Sequence, residues 1–153
     1  MKGHCQHHWK GELGGSGYRM TKPRQAILDV LGKTKEHLSA EDIYLSTHKF
    51  YSNIGLTTVY RNLELLVDMG LVVKFEFGHG KAKYELADPY SKKGHHHHLV
   101  CKNCSRIIDY SDFMKDEMQF LKSTEKGLSK NYDFQIVDHL IQFHGYCHKC
   151  RKK

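Results

Sequence analysis

His95-His96-His97-His98-Leu99-Val100-Cys101-Lys102-Asn103-Cys104 is answered later in the chain by His144-Gly145-Tyr146-Cys147-His148-Lys149-Cys150. A Cys-x-x-Cys knuckle presents two thiols from one tight turn, and two knuckles complete a tetrahedral Cys₄ shell for zinc. Four of the chain's 5 cysteines, Cys101, Cys104, Cys147 and Cys150, lie in these two knuckles. The histidines just before the first knuckle read as the start of a strand. Alternate side chains of a strand share a face, so His96 and His98 point one way and His95 and His97 the other. Two imidazoles per face can seed two further metal sites. A four-histidine run is also compatible with a polar loop or a tag remnant, but this one is internal and abuts the knuckle.

Working outward, the chain has 153 residues, 24 Lys+Arg against 17 Asp+Glu, a formal charge of +7 and 13 histidines. That size allows one or two small domains. The basic balance suits a polyanionic partner, although modest basicity also serves solubility. No apolar run approaches the ~18 residues of a bilayer span, and no signal-like apolar region follows Met1. The expectation is a cytoplasmic protein with no membrane partner and reduced thiols. Residues 1–18 are polar and Gly-rich, which predicts a flexible arm. Its His4, Cys5, His7, His8 and Trp9 offer weak soft-metal binding or are simply an ordinary terminus.

Residues 19–86 outline a winged helix-turn-helix domain. Thr21 is placed to cap a first helix with Pro23 in its first turn, and Ile27 and Leu31 share a face. A second helix starts at Ser39 with Asp42 three residues on, a capping-box arrangement. The third runs from about Thr57 to Met69 and stops at Gly70. Its apolar stripe is Val59, Leu63, Leu66 and Val67, and Thr57, Arg61, Glu64 and Asp68 face outward. A strand over 71–77, a turn at Gly78-His79-Gly80 and a returning strand over 81–86 form the wing, with Lys81 and Lys83 near a phosphate backbone.

Residues 87–94 have hinge composition. In 95–153 the pattern predicts strands around Leu99 and over Arg106–Tyr110. A helix capped by Ser111 or Asp112 then reaches roughly Lys130, and a strand from Asp133 to His144 follows. So small an α/β domain has little core of its own, which makes pairing with a second copy plausible.

Taken in order, several segments resemble the ferric uptake regulator family. They are Met20-Thr21-Lys22-Pro23-Arg24, Glu36-His37-Leu38-Ser39-Ala40-Glu41-Asp42, Gly55-Leu56-Thr57-Thr58-Val59-Tyr60-Arg61, Tyr84-Glu85-Leu86, the histidine run and the closing Gly-x-Cys-x-x-Cys. The resemblance implies an α+β fold, a winged helix-turn-helix domain followed by an α/β dimerisation domain. It also implies the function, a metal-dependent repressor acting as a homodimer on double-stranded DNA with an A·T-rich inverted-repeat operator.

Three metal sites follow from that resemblance. Structural Zn(2+) would use the four cysteines. A sensor site for a regulatory divalent metal, Fe(2+) before Mn(2+) or Zn(2+), would use His37, Glu85, His96, His98 and Asp109. A further site would use His95, His97, His139 and a helix acid, Asp116 by gapless counting, with the adjacent Glu117 as the alternative. DNA would meet Arg19 and Arg24 in the minor groove, and Thr57, Thr58, Tyr60 and Arg61 at the start of the recognition helix. His97 stands where many iron sensors carry aspartate. Asp109 is like the peroxide-sensing branch and Glu85 unlike it, so peroxide-sensing and zinc-sensing members stay open.

Enzymatic activity is not expected. A zinc hydrolase would leave the winged helix idle, and the chain has no His-Glu-x-x-His segment. A metal buffer would leave Thr57-Thr58-Val59-Tyr60-Arg61 without a role.

Overall fold

The computed structural model describes residues 18–76, 81–87, 90–91 and 94–151. The arm with His4, Cys5, His7, His8 and Trp9, the wing tip Gly78-His79-Gly80 with Phe77, and Asp88, Pro89, Lys92 and Lys93 of the hinge lie outside the described residues. The chain divides into two compact units, Met1–Gly94 and His95–Lys153. Gly94, the last residue of the first unit, has φ +70, a left-handed conformation open to glycine at little cost.

The first unit contains helices α1 (Lys22–Lys33), α2 (Ala40–His48) and α3 (Leu56–Asp68), and strands β1 (Leu38–Ser39), β2 (Val72–Phe75) and β3 (Lys83–Leu86). Pro23 falls in the first turn of α1 as expected, but Thr21 occupies the N-cap position without a side-chain capping hydrogen bond. At α2 the capping box forms in full. The Asp42 amide donates to Ser39 Oγ at 3.1 Å, and the Ser39 amide donates to Asp42 Oδ2 at 2.9 Å. Helix α3 closes in a Schellman motif. Leu71 N–H donates to the Leu66 carbonyl and Gly70 N–H to that of Val67, both at 2.9 Å, with Gly70 at φ +70.

Ile27, Leu31, Ile43, Val59, Leu63, Leu66 and Leu71 of the three helices and the segment after them form one buried cluster with Val72, Tyr84 and Leu86 of the sheet. β3 is central, antiparallel to β2 and to the two-residue β1, which the sequence pattern did not indicate. The pairing Leu38↔Tyr84 sets the register on which His37 and Glu85 depend.

The second unit has strands β4 (His97–Cys101), β5 (Ile107–Tyr110) and β6 (Gln142–Gly145), and helix α4 (Met114–Tyr132). β4 is central, antiparallel to β5 and parallel to β6. Two expectations are corrected here. Helix α4 is preceded not by a Ser111 or Asp112 cap but by Phe113 in a left-handed conformation, whose carbonyl accepts from Asp116 and Glu117 N–H at 3.0 Å. The last strand begins at Gln142 rather than at Asp133. Parallel register pairs His98 with Gln142, so residues before Ile141 run past the start of β4 and have no ladder to join.

The buried interior of this unit is unusual. Among its described residues the buried ones are His96, His97, His98, Val100 and Cys101, and α4 contributes none. Phe113, Phe120, Tyr132, Phe134, Val137, Leu140 and Phe143 are each more than half exposed. Imidazole and thiol therefore occupy the positions that leucine and isoleucine take in the first unit.

Candidate functional site

The four cysteines sit where two strand ends meet. Cys101 ends β4, and its register partner Gly145 ends β6 and leads into the second knuckle. One ligand-capable atom from each of Cys101, Cys104, Cys147 and Cys150 lies within 4.8 Å of the others, and none is in a disulfide. Cys104 Sγ and Cys147 Sγ are 3.8 Å apart. A tetrahedral zinc with Zn–S bonds of about 2.3 Å requires sulfur–sulfur edges of about 3.8 Å, so the donor set fits that ion in chemistry and spacing.

Backbone amides favour charge on Cys101: Cys147 N–H, which donates to its sulfur at 3.3 Å, and then Cys104 N–H bring its pKa down to about 6. The Arg106 amide favours the thiolate of Cys104, but the neighbouring sulfurs and burial outweigh it, and its pKa rises to about 11. Four sulfurs this close cannot all ionise alone; a dication removes that conflict.

His95, His97 and His139 form a second cluster within 4.8 Å. His95 Nε2 is 3.2 Å from His97 Nε2 and 3.1 Å from His139 Nε2. Zinc–nitrogen bonds of about 2.0–2.1 Å ask for N···N edges of about 3.3 Å, close to this spacing. Burial lowers the His97 pKa, with Glu117 pulling the other way, which favours the neutral ring that a metal requires.

Asp116 is exposed and is not brought to this cluster. One residue along a helix turns the side chain by about 100°, so it is Glu117 that reaches inward. Glu117 Oε2 lies 2.7 Å from His97 Nδ1, and Glu125 Oε1 lies 2.8 Å from His139 Nδ1. Sequence reasoning missed Glu125. The signal was the half-buried stripe Met114, Glu117, Met118, Leu121 and Glu125 along α4, in which the acids replace apolar positions.

The expected sensor residues are divided between the units. In the first, His37 Nε2 stands 3.1 Å from Glu85 Oε2, each side chain 7% exposed, and the His37 ring meets Phe75 edge-on at 5.1 Å. In the second, His98 faces its register partner Asp109 with Nε2–Oδ1 at 3.8 Å, and the His96 and His98 rings are 4.9 Å apart. The alternation expected along the histidine run is present: His95 and His97 converge on one side, where His97 meets Glu117 of α4, and His96 and His98 share the other side with Asp109.

On the recognition helix Thr57, Tyr60 and Arg61 are exposed and Thr58 is half-buried. Arg24 Nε donates to Asn62 Oδ1 at 3.2 Å, its Nη1 donates to the Arg19 carbonyl, and its guanidinium lies 5.9 Å from the Tyr18 ring centroid. Asn62, unnoticed in the sequence, thus ties α1 to α3. Tyr60 Oη donates to Glu41 Oε1 at 3.3 Å, and Lys81 Nζ meets the same oxygen at 2.8 Å. Lys83 Nζ is 3.6 Å from Asp42 Oδ2. The two wing lysines, expected beside phosphate, are engaged here by carboxylates of α2. Among the described residues no helix is long and apolar enough to cross a membrane.

The model of the ferric uptake regulator family matches residues 15–144. The ferric uptake regulation protein of Bacillus subtilis (strain 168) is 40% identical over 148 residues, covering 94% of this chain and 93% of that protein. The ferric uptake regulator of Pseudomonas aeruginosa, solved with manganese, matches with a TM-score of 0.69 at 32% identity, covering 90% of this chain and 96% of that one. That of Helicobacter pylori, whose structure reveals three functional metal binding sites, matches with a TM-score of 0.68 at 25% identity, covering 95% and 90%. With its helix-rich first unit, its cysteine and histidine clusters and a family match spanning most of its length, this chain belongs to the ferric uptake regulator family.

Proposed function

We propose that the chain is a metal-responsive, DNA-binding transcriptional repressor that works as a homodimer, with Zn(2+) on its four cysteines. His37, Glu85, His96, His98 and Asp109 would hold the regulatory divalent ion. The observation that carries the proposal is the split donor set: a buried imidazole–carboxylate pair in the winged unit, and two imidazoles with a carboxylate in the other. The second unit's share is three donors, and the pair in the winged unit would raise the set to five. An ion bound by both adds its affinity to whatever arrangement of the units satisfies all five ligands, and the coupling to DNA is then reciprocal.

The imidazole and carboxylate donors, with no thiolate, suit Fe(2+) and also accept Mn(2+) or Zn(2+). Thr57, Thr58, Tyr60 and Arg61 would enter the major groove. Arg19 and Arg24 would reach a narrow A·T-rich minor groove, where negative potential is concentrated. The exposed apolar side chains of the second unit support the homodimer, and a twofold dimer reads an inverted repeat.

Selection from a random duplex pool under Fe(2+), Mn(2+) or Zn(2+), with and without peroxide, tests the proposal. It expects enrichment of an A·T-rich inverted repeat under Fe(2+), insensitive to brief peroxide. Enrichment lost on peroxide treatment, as Asp109 resembles, or confined to zinc assigns the chain to a peroxide or zinc sensor instead. No metal-dependent enrichment refutes the regulator.

A further inference from the structure

Two acids open α2, and the fold uses only one of them as a cap. Asp42 completes the capping box with Ser39. Glu41 takes no part in it. Its Oε1 meets two donors instead: the Tyr60 hydroxyl of α3 at 3.3 Å and the ammonium of Lys81, just before β3, at 2.8 Å. Its other oxygen, Oε2, is covered by protein and has no hydrogen-bond partner among the described residues. One carboxylate thus joins the second helix, the recognition helix and the wing. Tyr60 is 38% exposed and the Lys81 side chain 64%, so neither contact fills a core position. Exposed pairs of this kind add little to folding stability. A first-turn acid also complements the helix dipole, but that role needs neither Tyr60 nor Lys81.

We propose that Glu41 is a positioning residue of the DNA-reading face: it holds the Tyr60 ring in place for base edges and withholds Lys81 from the phosphate backbone. The proposal rests on the DNA-binding reading above. Phosphate contacts raise affinity for every sequence alike, whereas base contacts separate one sequence from another. A lysine committed to Glu41 displaces no counterion from the duplex, so it adds nothing to binding of arbitrary DNA. Tyr60, anchored at its hydroxyl, presents its ring and not its oxygen, an apolar surface of the kind that meets a thymine methyl. A carboxylate on a face turned to a polyanion is otherwise unfavourable. Here its charge is spent on one cation, and its acceptor oxygen orients one reading side chain.

The test uses the full chain, saturated with the ion under which its operator is selected, and two duplexes of equal length, that operator and a scrambled one, across a salt series. Glu41→Gln keeps an acceptor for Tyr60 but drops the charge that holds Lys81. It is expected to tighten both duplexes and to steepen the salt slope by about 0.9, one added phosphate contact, so that the gain shrinks about 3.5-fold for a fourfold rise in salt. The operator-to-scrambled affinity ratio is expected to stay at the parent value. Glu41→Ala is expected to steepen the slope equally and to lower that ratio about fivefold or more, the cost of one lost base contact. Tyr60→Phe, which touches neither charge, is expected to lower the ratio with the slope unchanged. In a Lys81→Ala background Glu41→Gln should no longer steepen the slope. A parent slope in Glu41→Gln, a slope steepened equally without Lys81, or a ratio that Glu41→Ala leaves at the parent value overturns the proposal. A parent that binds both duplexes alike, or neither, refutes the DNA-regulator reading instead.

Discussion

His37 and Glu85 meet at 3.1 Å because one sheet register brings them there. β1 and β3 are antiparallel with Leu38 opposite Tyr84, so the residues next outward on each strand are His37 and Glu85. Phe75, from the neighbouring β2, closes one side of the His37 ring. The two side chains are thus brought together by the fold of the winged unit itself. A preformed pair of this kind lowers the ordering cost of binding.

Glu85→Gln preserves shape and removes the charge. It is expected to weaken binding of the regulatory ion at least tenfold, about 1.4 kcal/mol, with the unfolding midpoint of the ion-free protein close to that of the parent. Chelator competition and denaturant titration measure the two quantities. Unchanged ion affinity removes Glu85 from the site.

Cys101 lies at the junction of β4 and the first knuckle, in a unit whose buried interior is mostly histidine. A zinc ion on the four cysteines, as proposed, would contribute folding free energy directly. Cys101→Ser is expected to lose zinc and the protected amides of β4 and β6 in hydrogen exchange, while the three-helix core of the first unit keeps its protection. A zinc-free variant with wild-type protection in β4 contradicts a structural role for the knuckles.

The capping box of α2 gives a pH signature. Asp42 is held below its ordinary value of 3.8, first by the Ser39 hydroxyl, then by the Ser39 amide, with Lys83 adding to both. A depressed folded pKa means that this stabilisation is complete above 3.8 and fades as the pH falls below it. Asp42→Ala is expected to cost about 1 kcal/mol at neutral pH. The difference from the parent should shrink in the window below pH 3.8. A difference independent of pH through that window rules out the ionised cap.

Val137 is 86% exposed, Phe134 65% and Leu140 56%, in a segment with no strand partner among the described residues. A second copy is the natural cover for such a segment. Val137→Glu is expected to convert a dimer into a monomer in analytical ultracentrifugation while zinc content stays the same. A stable dimer places the interface elsewhere.

The helices and knuckles were legible because their signals are local. The Ser39/Asp42 box, the Val59–Leu63–Leu66 stripe and the Gly70 stop each depend on residues within a few positions, and each appears at its expected place. The alternation of the histidine run needed only the period of a strand. What escaped depends on tertiary placement. β1 is two residues long and exists only because β3 lies beside it. The late start of β6 follows from its parallel register with β4, which no pattern within Asp133–His144 encodes. Asp116 and Glu117 are neighbours in sequence, and only the helix phase, shifted by the left-handed Phe113, decides between them. Glu41 and Asn62 hold the recognition-helix side through bonds to Tyr60, Lys81 and Arg24, which sequence spacing does not reveal.

The central claim is that one ion couples donors from both units to DNA affinity. Its most direct test is operator binding, by fluorescence anisotropy under anaerobic conditions with and without Fe(2+), of the parent, His37→Ala, His96→Ala and the double variant. The account predicts that Fe(2+) tightens the parent at least tenfold, that either single variant loses that gain, and that the double variant is no worse than the singles, because the residues act as one unit. Parent binding indifferent to chelation, or a metal response that survives both substitutions, contradicts it.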